Sequence, residues 1–414
     1  MRNCCRRDFL RIGAGATFGA AMAGRLAPLW GQESPAKKAK ACIVLWMAGG
    51  PSHIDTFDPK PGQATGGPFK PVETSVKGVS IGQHLPKVAA QAKHLALVRS
   101  VTSKEADHDR GTYLLHTGYA PQETVVHPAI GCVASKEFPA AALPGFVSIG
   151  ETYNDAGYLG VEHVPLVVAN PDDPAAGLVV PEHLRKRRWD ARKKLLDAMD
   201  TSFAERSDKA AVDEDVKVRA RAEALLGSKA TEAFDLSKEE EAVRAAYGDS
   251  PFGRGCVLAR RLVERGVRFV EVVLDGWDTH EGNFDAVQAL CGTLDPAYAR
   301  LVEELAERRL LDETIVLWMG EFGRTPDING ANGRDHHAAC FSVVAAGGGF
   351  ARGRVVGESD KEGREPAKQP VTVPNLLATV YAQLGFDPSK TYLSKEGRPI
   401  KLIDKGAPVR ELLE

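Results

Sequence analysis

Four short stretches gather the histidines, carboxylates and arginines that could hold a metal or an anion. "GGPSHIDTFDPKPG" (49–62) offers Ser52, His53, Asp55 and Asp58, and "ADHDRGTYLLHTGYAP" (106–121) offers His108 and Arg110. "LDGWDTHEGNF" (274–284) offers Asp275, Asp278, His280 and Glu281. "GEFGRTP" (320–326) and "GRDHH" (333–337) together offer Glu321, Arg324, Arg334, Asp335, His336 and His337. Six of the eleven histidines fall in these segments: His53, His108, His116, His280, His336 and His337. Each stretch alone reads as a polar loop; the four together read as one site. Imidazole and carboxylate donors in combination suit Zn²⁺ or Mn²⁺, whereas an all-oxygen set would suit Ca²⁺ or Mg²⁺. The arginines beside them have the planar fork that holds an oxyanion bidentately.

Such residues need a scaffold to bring them together, and the apolar pattern supplies one. The runs 41–47, 95–101, 145–150, 164–169, 267–273, 314–319 and 341–346 read as strands. They are near-continuously apolar rather than alternating, which implies burial on both faces of a sheet. Helical patterns at 284–309 and 372–385, the latter with Gly385 as its stop, alternate with them and predict an α/β fold with a mostly parallel sheet. Three of the polar stretches directly follow predicted strands, where open parallel sheets bind ligands. Residues 181–247 carry charged helical patterns without a strand and read as a helical insertion. Within it the basic cluster Arg185–Arg188 reads as a solvated helix face, given the nearby acids. Gly347–Gly349 lacks the Gly-Lys-Ser/Thr of a phosphate-cradling loop and reads as a turn.

The amino terminus sets a different kind of constraint. "CCRRDFLRIGAGATFGAAMAGRLAPLWGQ", with Arg6 and Arg7 paired ahead of a weakly apolar Gly/Ala stretch, resembles a twin-arginine export signal. It implies a signal peptide over 1–32, cut between Ala27 and Glu33, recognition by the twin-arginine translocation machinery, and a periplasmic or extracellular protein. Its apolar part is too short to span a bilayer, and no second long apolar run follows, so no stable membrane span is expected after processing. One domain is expected over 37–414. The seven cysteines are scattered without a CxxC and read as buried thiols. A net charge of −2 argues against a nucleic-acid partner.

"MAGGPSHIDTFDPKP", "HTGYAP", "GWDTH", "GEFGRTP" and "GRDHH", in this order behind such a leader, resemble the exported DUF1501 proteins. That family is grouped with the alkaline phosphatase and sulfatase superfamily, whose members are metal-dependent α/β enzymes cleaving phosphate or sulfate esters. The resemblance implies an alkaline-phosphatase-like fold and a divalent metal. The sulfatase spacing, counted back from Thr117-Gly118, places His108 where sulfatases carry the Cys or Ser nucleophile at a helix N-terminus. This chain departs from the superfamily elsewhere too. It has Asp278-Thr-His280 for Asp-x-x-x-His and Glu321-Phe322 for Asp-His, while Asp55 lies eight residues past Met47 rather than at the strand end. The distal histidine is matched by His336 or His337.

The expectation is therefore a metal-dependent hydrolase of a phosphate or sulfate ester, small-molecule or glycan. Its expected metal ligands are Asp55, Asp278, His280, Glu321, His336 and His337. His108 would act as base or nucleophile, with Arg110 and Arg324 steadying the anion. The rival is a non-hydrolytic metal- or glycan-binding protein on the same scaffold, favoured by the missing Ser, Thr or Cys.

Overall fold

The structure, a computed structural model, describes residues 39–413 apart from 140, 179–186, 207–208, 227 and 395. The described residues belong to one compact unit, Lys37–Glu414. The export signal expected over 1–32 lies outside the described residues, as do Arg185 and Lys186 of the basic cluster.

Nine strands form the main sheet: β1 (Ala41–Met47), β2 (Leu95–Thr102), β3 (Phe146–Ile149), β4 (Leu166–Val168), β5 (Phe269–Leu274), β6 (Thr314–Met319), β7 (Phe341–Ala346), β8 (Arg354–Val356) and β9 (Val371–Thr372). The spatial order is β8-β2-β7-β6-β1-β5-β3-β4, with β9 also paired to β2. Every pairing is parallel except those of β7, which runs antiparallel to both β2 and β6. All seven expected strands lie in this sheet. The two that sequence did not suggest, β8 and β9, are short and pair only at its β2 end.

Burial on both faces explains the continuous apolar runs. Along β1, Ile43, Leu45 and Met47 point into one core with Val270, Val272, Val316 and Trp318. Cys42, Val44 and Trp46 point into the opposite core with Phe269, Ile315, Leu317 and Met319. The first core is closed by helices α1 (Pro86–Gln91), α7 (Pro251–Glu264) and α8 (Asn283–Glu307). The second is closed by α2 (His108–Thr117), α3 (Ile130–Glu137) and α9 (Val373–Gln383). Gly385, at φ 78, follows α9 as its expected stop. Between β4 and α7 lie α4 (Arg187–Arg206), α5 (Lys209–Leu226) and α6 (Glu241–Ala246), all within the span read as a helical insertion. Among the described residues no helix is long and apolar enough to cross a membrane.

β1, β5 and β6 are adjacent and parallel, and β2 runs the same way across the antiparallel β7. The four polar stretches therefore leave one edge of the sheet together.

Candidate metal centre

His108 owes its position to a helix cap. Asp107 has extended backbone (φ −108°, ψ 141°), and its carboxylate accepts the Arg110 amide at 3.1 Å, so α2 starts at His108. Gly49, at φ 110°, lets the chain leaving β1 lie against the loop after β5; a Cβ there would collide with the Asp278 amide nitrogen. After β6, Gly323–Arg324 pairs antiparallel with His336–His337. Neighbouring side chains in such a pair point to opposite faces, so only one of the two histidines can face the site.

The group centres on Asp278. Its Oδ1 lies 3.1 Å from His280 Nε2, 3.4 Å from His108 Nε2 and 3.4 Å from His336 Nε2, and it accepts a hydrogen bond from the Arg324 guanidinium. The ligand atoms of His108, Asp278 and His336 all lie within 4.8 Å of one another. Each imidazole is held by its other nitrogen. His108 Nδ1 meets Glu321 Oε1 at 2.8 Å, His280 Nδ1 meets Asp335 Oδ1 at 2.7 Å, and His336 Nδ1 meets the Ala106 carbonyl at 2.8 Å.

Those three acceptors have a chemical consequence. A carbonyl or carboxylate oxygen requires each Nδ1 to carry the proton, which leaves each Nε2 of a neutral ring with a bare lone pair. His280 Nε2 and His336 Nε2 nonetheless stand 3.0 Å apart. Two neutral rings would repel at that distance, and either a shared cation or a proton on one ring removes the conflict. Donors bound at about 2.0–2.2 Å to one Zn²⁺-sized ion stand roughly 3.0–3.6 Å from each other, which is the spacing of Asp278 Oδ1 from each imidazole and of His280 from His336. Three carboxylates (Asp278, Glu321, Asp335) against one guanidinium (Arg324) leave an excess negative charge that a divalent ion would neutralise. The residues therefore fit a divalent cation, and their outer carboxylates are the usual orienting partners of metal-bound histidines.

The electrostatics differ from ring to ring. The Glu321 hydrogen bond raises the His108 pKa against the opposing effect of burial, with the Glu321 and Asp278 charges assisting. Burial lowers that of His336. Burial alone would raise Asp278, but the Arg324 hydrogen bond and charge bring it below the usual carboxylate range. The His280 hydrogen bond does the same for Asp335. Glu321 is buried, and its Oε1 also accepts the Gly49 amide at 2.8 Å, while Oε2 has no hydrogen-bond partner.

Asp278, His280, Glu321 and His336 thus converge with His108, while three expected site residues do not join them. Asp55 is buried in a bidentate pair with Arg334 (2.7 and 3.2 Å) and also accepts from Asn283 at 2.9 Å, so its oxygens are already taken. His337 faces away from the group, donating from Nε2 to the Arg364 carbonyl at 2.7 Å. Arg110 is exposed and paired with Glu105 at 2.5 and 3.0 Å. Arg324 is at the site but fully buried, its guanidinium spent on the carbonyls of Gly49, Gly50 and Arg334 as well as on Asp278. It braces the group rather than presenting a free anion clamp. Glu321 contacts His108 and so stands behind the candidate ligands. Asn329, which donates to the His280 carbonyl at 2.9 Å and to Asp335 at 3.2 Å, carried no sequence signal. Asp335 was visible only as a member of "GRDHH".

The chain belongs to the family described as a protein of unknown function (DUF1501), which it matches over residues 39–413. No curated protein matches it in sequence. Among solved structures it is similar to the PsFucS1 sulfatase from Pseudoalteromonas sp. (TM-score 0.37, 12% identity, covering 88% of this chain and 70% of that one). It is also similar to the C-terminal periplasmic domain of EcEptC from Escherichia coli in complex with Zn (0.39, 8%, 92% and 96%). A third is the alkaline phosphatase from the Antarctic bacterium TAB5 (0.31, 13%, 75% and 92%). These are distant likenesses of chain trace and nothing more.

Proposed function

We propose that this DUF1501 protein is a divalent-metal-dependent hydrolase acting on a phosphate or sulfate ester of a small molecule or glycan, exported by the twin-arginine route. The observation that supports the metal is the convergence of three Nδ1-tethered imidazoles on Asp278, with His280 Nε2 and His336 Nε2 3.0 Å apart. His108, His280, His336 and Asp278 would hold the ion, and an imidazole-rich set favours Zn²⁺ or Mn²⁺ over Ca²⁺. A divalent cation bound there polarises an ester oxygen and acidifies water beside it. The positive dipole end of α2, partly met by the capping Asp107 carboxylate, favours the anionic part of a substrate beside His108. Glu321 fixes the His108 tautomer and keeps its Nε2 turned toward Asp278. The export half of the reading rests on Arg6 and Arg7.

One observation favours the non-hydrolytic reading. The arginines around the group are engaged: Arg324 with backbone carbonyls and Asp278, Arg334 with Asp55, Arg110 with Glu105, and Arg364 with Asp327 and Glu362. The helix also opens Asp-His-Asp, without Ser, Thr or Cys. Metal analysis of the purified protein, followed by turnover assays on an aryl phosphate and an aryl sulfate, separates the two. Metal with turnover lost in His108→Ala supports the hydrolase. Metal without turnover leaves a binding protein, and absence of metal after loading with Zn²⁺ and Mn²⁺ defeats both. Replacing Arg6 and Arg7 by Lys should block export, since the transporter reads the arginine pair; normal export of that variant defeats the twin-arginine half.

A further inference from the structure

Helix α4 is twenty residues long, yet none of its described side chains is buried. Helices in folded proteins ordinarily gain most of their stability by burying an apolar face, and isolated ones are marginal in water. α4 has such a face and leaves it open. Leu195, Met199 and Phe203, each four residues from the next, are 63%, 60% and 53% exposed. Extended in both directions at spacings of three and four, the same ridge runs Arg188, Arg192, Leu195, Met199, Phe203, Arg206. It is an apolar centre with arginine at both ends. The acids of the helix lie off it: Asp200 pairs with Arg219 of α5, and Asp190, Asp197 and Glu205 fall on other turns of the cylinder. Lys193, bound to Glu223 of α5, marks the side that is already packed.

The arrangement of charge selects among partners. A second copy related by a two-fold axis through Met199 would set Arg192 against Arg206, seven residues to either side, and bring like charges together along the contact. An anionic surface meets both arginine ends favourably. The ridge is a single line of flexible apolar side chains along one helix, suited to a fluid apolar layer that moulds to it. Arginines at its ends can lay their stems on that layer and keep their guanidinium groups at a charged boundary. We infer that α4 lies on an anionic phospholipid surface, with Leu195, Met199 and Phe203 entering the interface and Arg188, Arg192 and Arg206 meeting the headgroups. The contact is peripheral, because the helix is far too polar to cross. It shares no residue with the metal centre and does not depend on the hydrolase reading.

The test is sedimentation of the full chain with vesicles of phosphatidylcholine alone or mixed equally with phosphatidylglycerol. The protein should pellet with the phosphatidylglycerol vesicles, release as salt is raised, and ignore phosphatidylcholine alone. The combined variant Leu195→Ser, Met199→Ser, Phe203→Ser should bind at least tenfold more weakly with a little-changed melting curve, since more than half of each side chain is exposed in the folded chain. Arg188→Glu, Arg192→Glu and Arg206→Glu together should erase the preference for the anionic vesicles. Equal sedimentation of the serine variant overturns the inference, as does failure of the parent to bind. Light scattering that shows a dimer which the serine variant dissolves would assign the ridge to a second copy instead, and would equally overturn it.

Discussion

Two aspartates beside two arginines divide the carboxyl edge of the sheet. Asp55 and Arg334 are both fully buried, and every oxygen of the carboxylate is occupied by Arg334 or Asn283. Asp278 also faces a buried arginine, Arg324, but about half of its side chain is open and the same oxygen is surrounded by three imidazole nitrogens. The first pair is a closed knot. The second has surplus donor capacity pointed outward. Residue type does not separate a structural aspartate from a candidate ligand; the count of lone pairs left over does.

Breaking the knot should cost the most. Asp55→Ala strands a buried guanidinium, and losing one partner of such a pair costs about 3–5 kcal/mol. Chemical denaturation should register that loss, and a change under 1 kcal/mol would mean the knot is not closed. The interior of the same region should also make the fold acid-sensitive. Burial, outweighing the Asp58 charge and the Gly363 hydrogen bond, pushes the His53 imidazole from 6.5 down to about 4. The unfolded chain takes the proton first as pH falls past 6.5, so stability is fully present above that value and drains away toward pH 4. A shift of this size corresponds to about 3 kcal/mol. His53→Gln should flatten the stability–pH curve over that window; an identical slope would place the acid sensitivity elsewhere.

On the open side, Glu321→Gln should weaken Zn²⁺ or Mn²⁺ binding by about 10–100-fold in calorimetric titration, the usual effect of removing a carboxylate behind a ligand histidine. Chelation should lower the melting temperature of the parent protein and shift the variant less, because an ion bound only to the folded state stabilises it by mass action. His337→Ala sharpens the contrast: its metal content should equal the parent's, whereas His336→Ala should lose it. The smallest effect belongs to Arg110→Ala, within about 0.5 kcal/mol in stability and with unaltered metal content, as for an ordinary surface change. A large loss of either would return Arg110 to the site.

The sheet was legible because its central strands, parallel or not, are apolar on both faces. The runs 314–319 and 341–346 match β6 and β7 residue for residue, and 41–47 matches β1. β8 and β9 were not, since two or three residues at a sheet margin carry no period. α7 was not among the expected helices although Ser250, whose side chain caps it, and Pro251 form a start signal. The gathering of the polar stretches also followed from their places after strands. Which members would point inward did not. His336 and His337 are neighbours on an extended strand, so facing is decided by the register of Gly323–Arg324 against them, a pairing invisible in local pattern. Asp55 failed as a ligand for a related reason: its partner Arg334 is 279 residues away.

The centre also has a place in time. Its candidate ligands come from residues 108, 278, 280 and 336, and the bracing amide comes from residue 49. No two neighbouring turns of chain can make it, because the strands that hold it meet only once β1 has joined both β5 and β6. Contacts this remote in sequence form late, after the entropy of closing long loops has been overcome. The complete set of donors exists only once those strands have met, so full occupancy of the centre would serve as a certificate of completed folding.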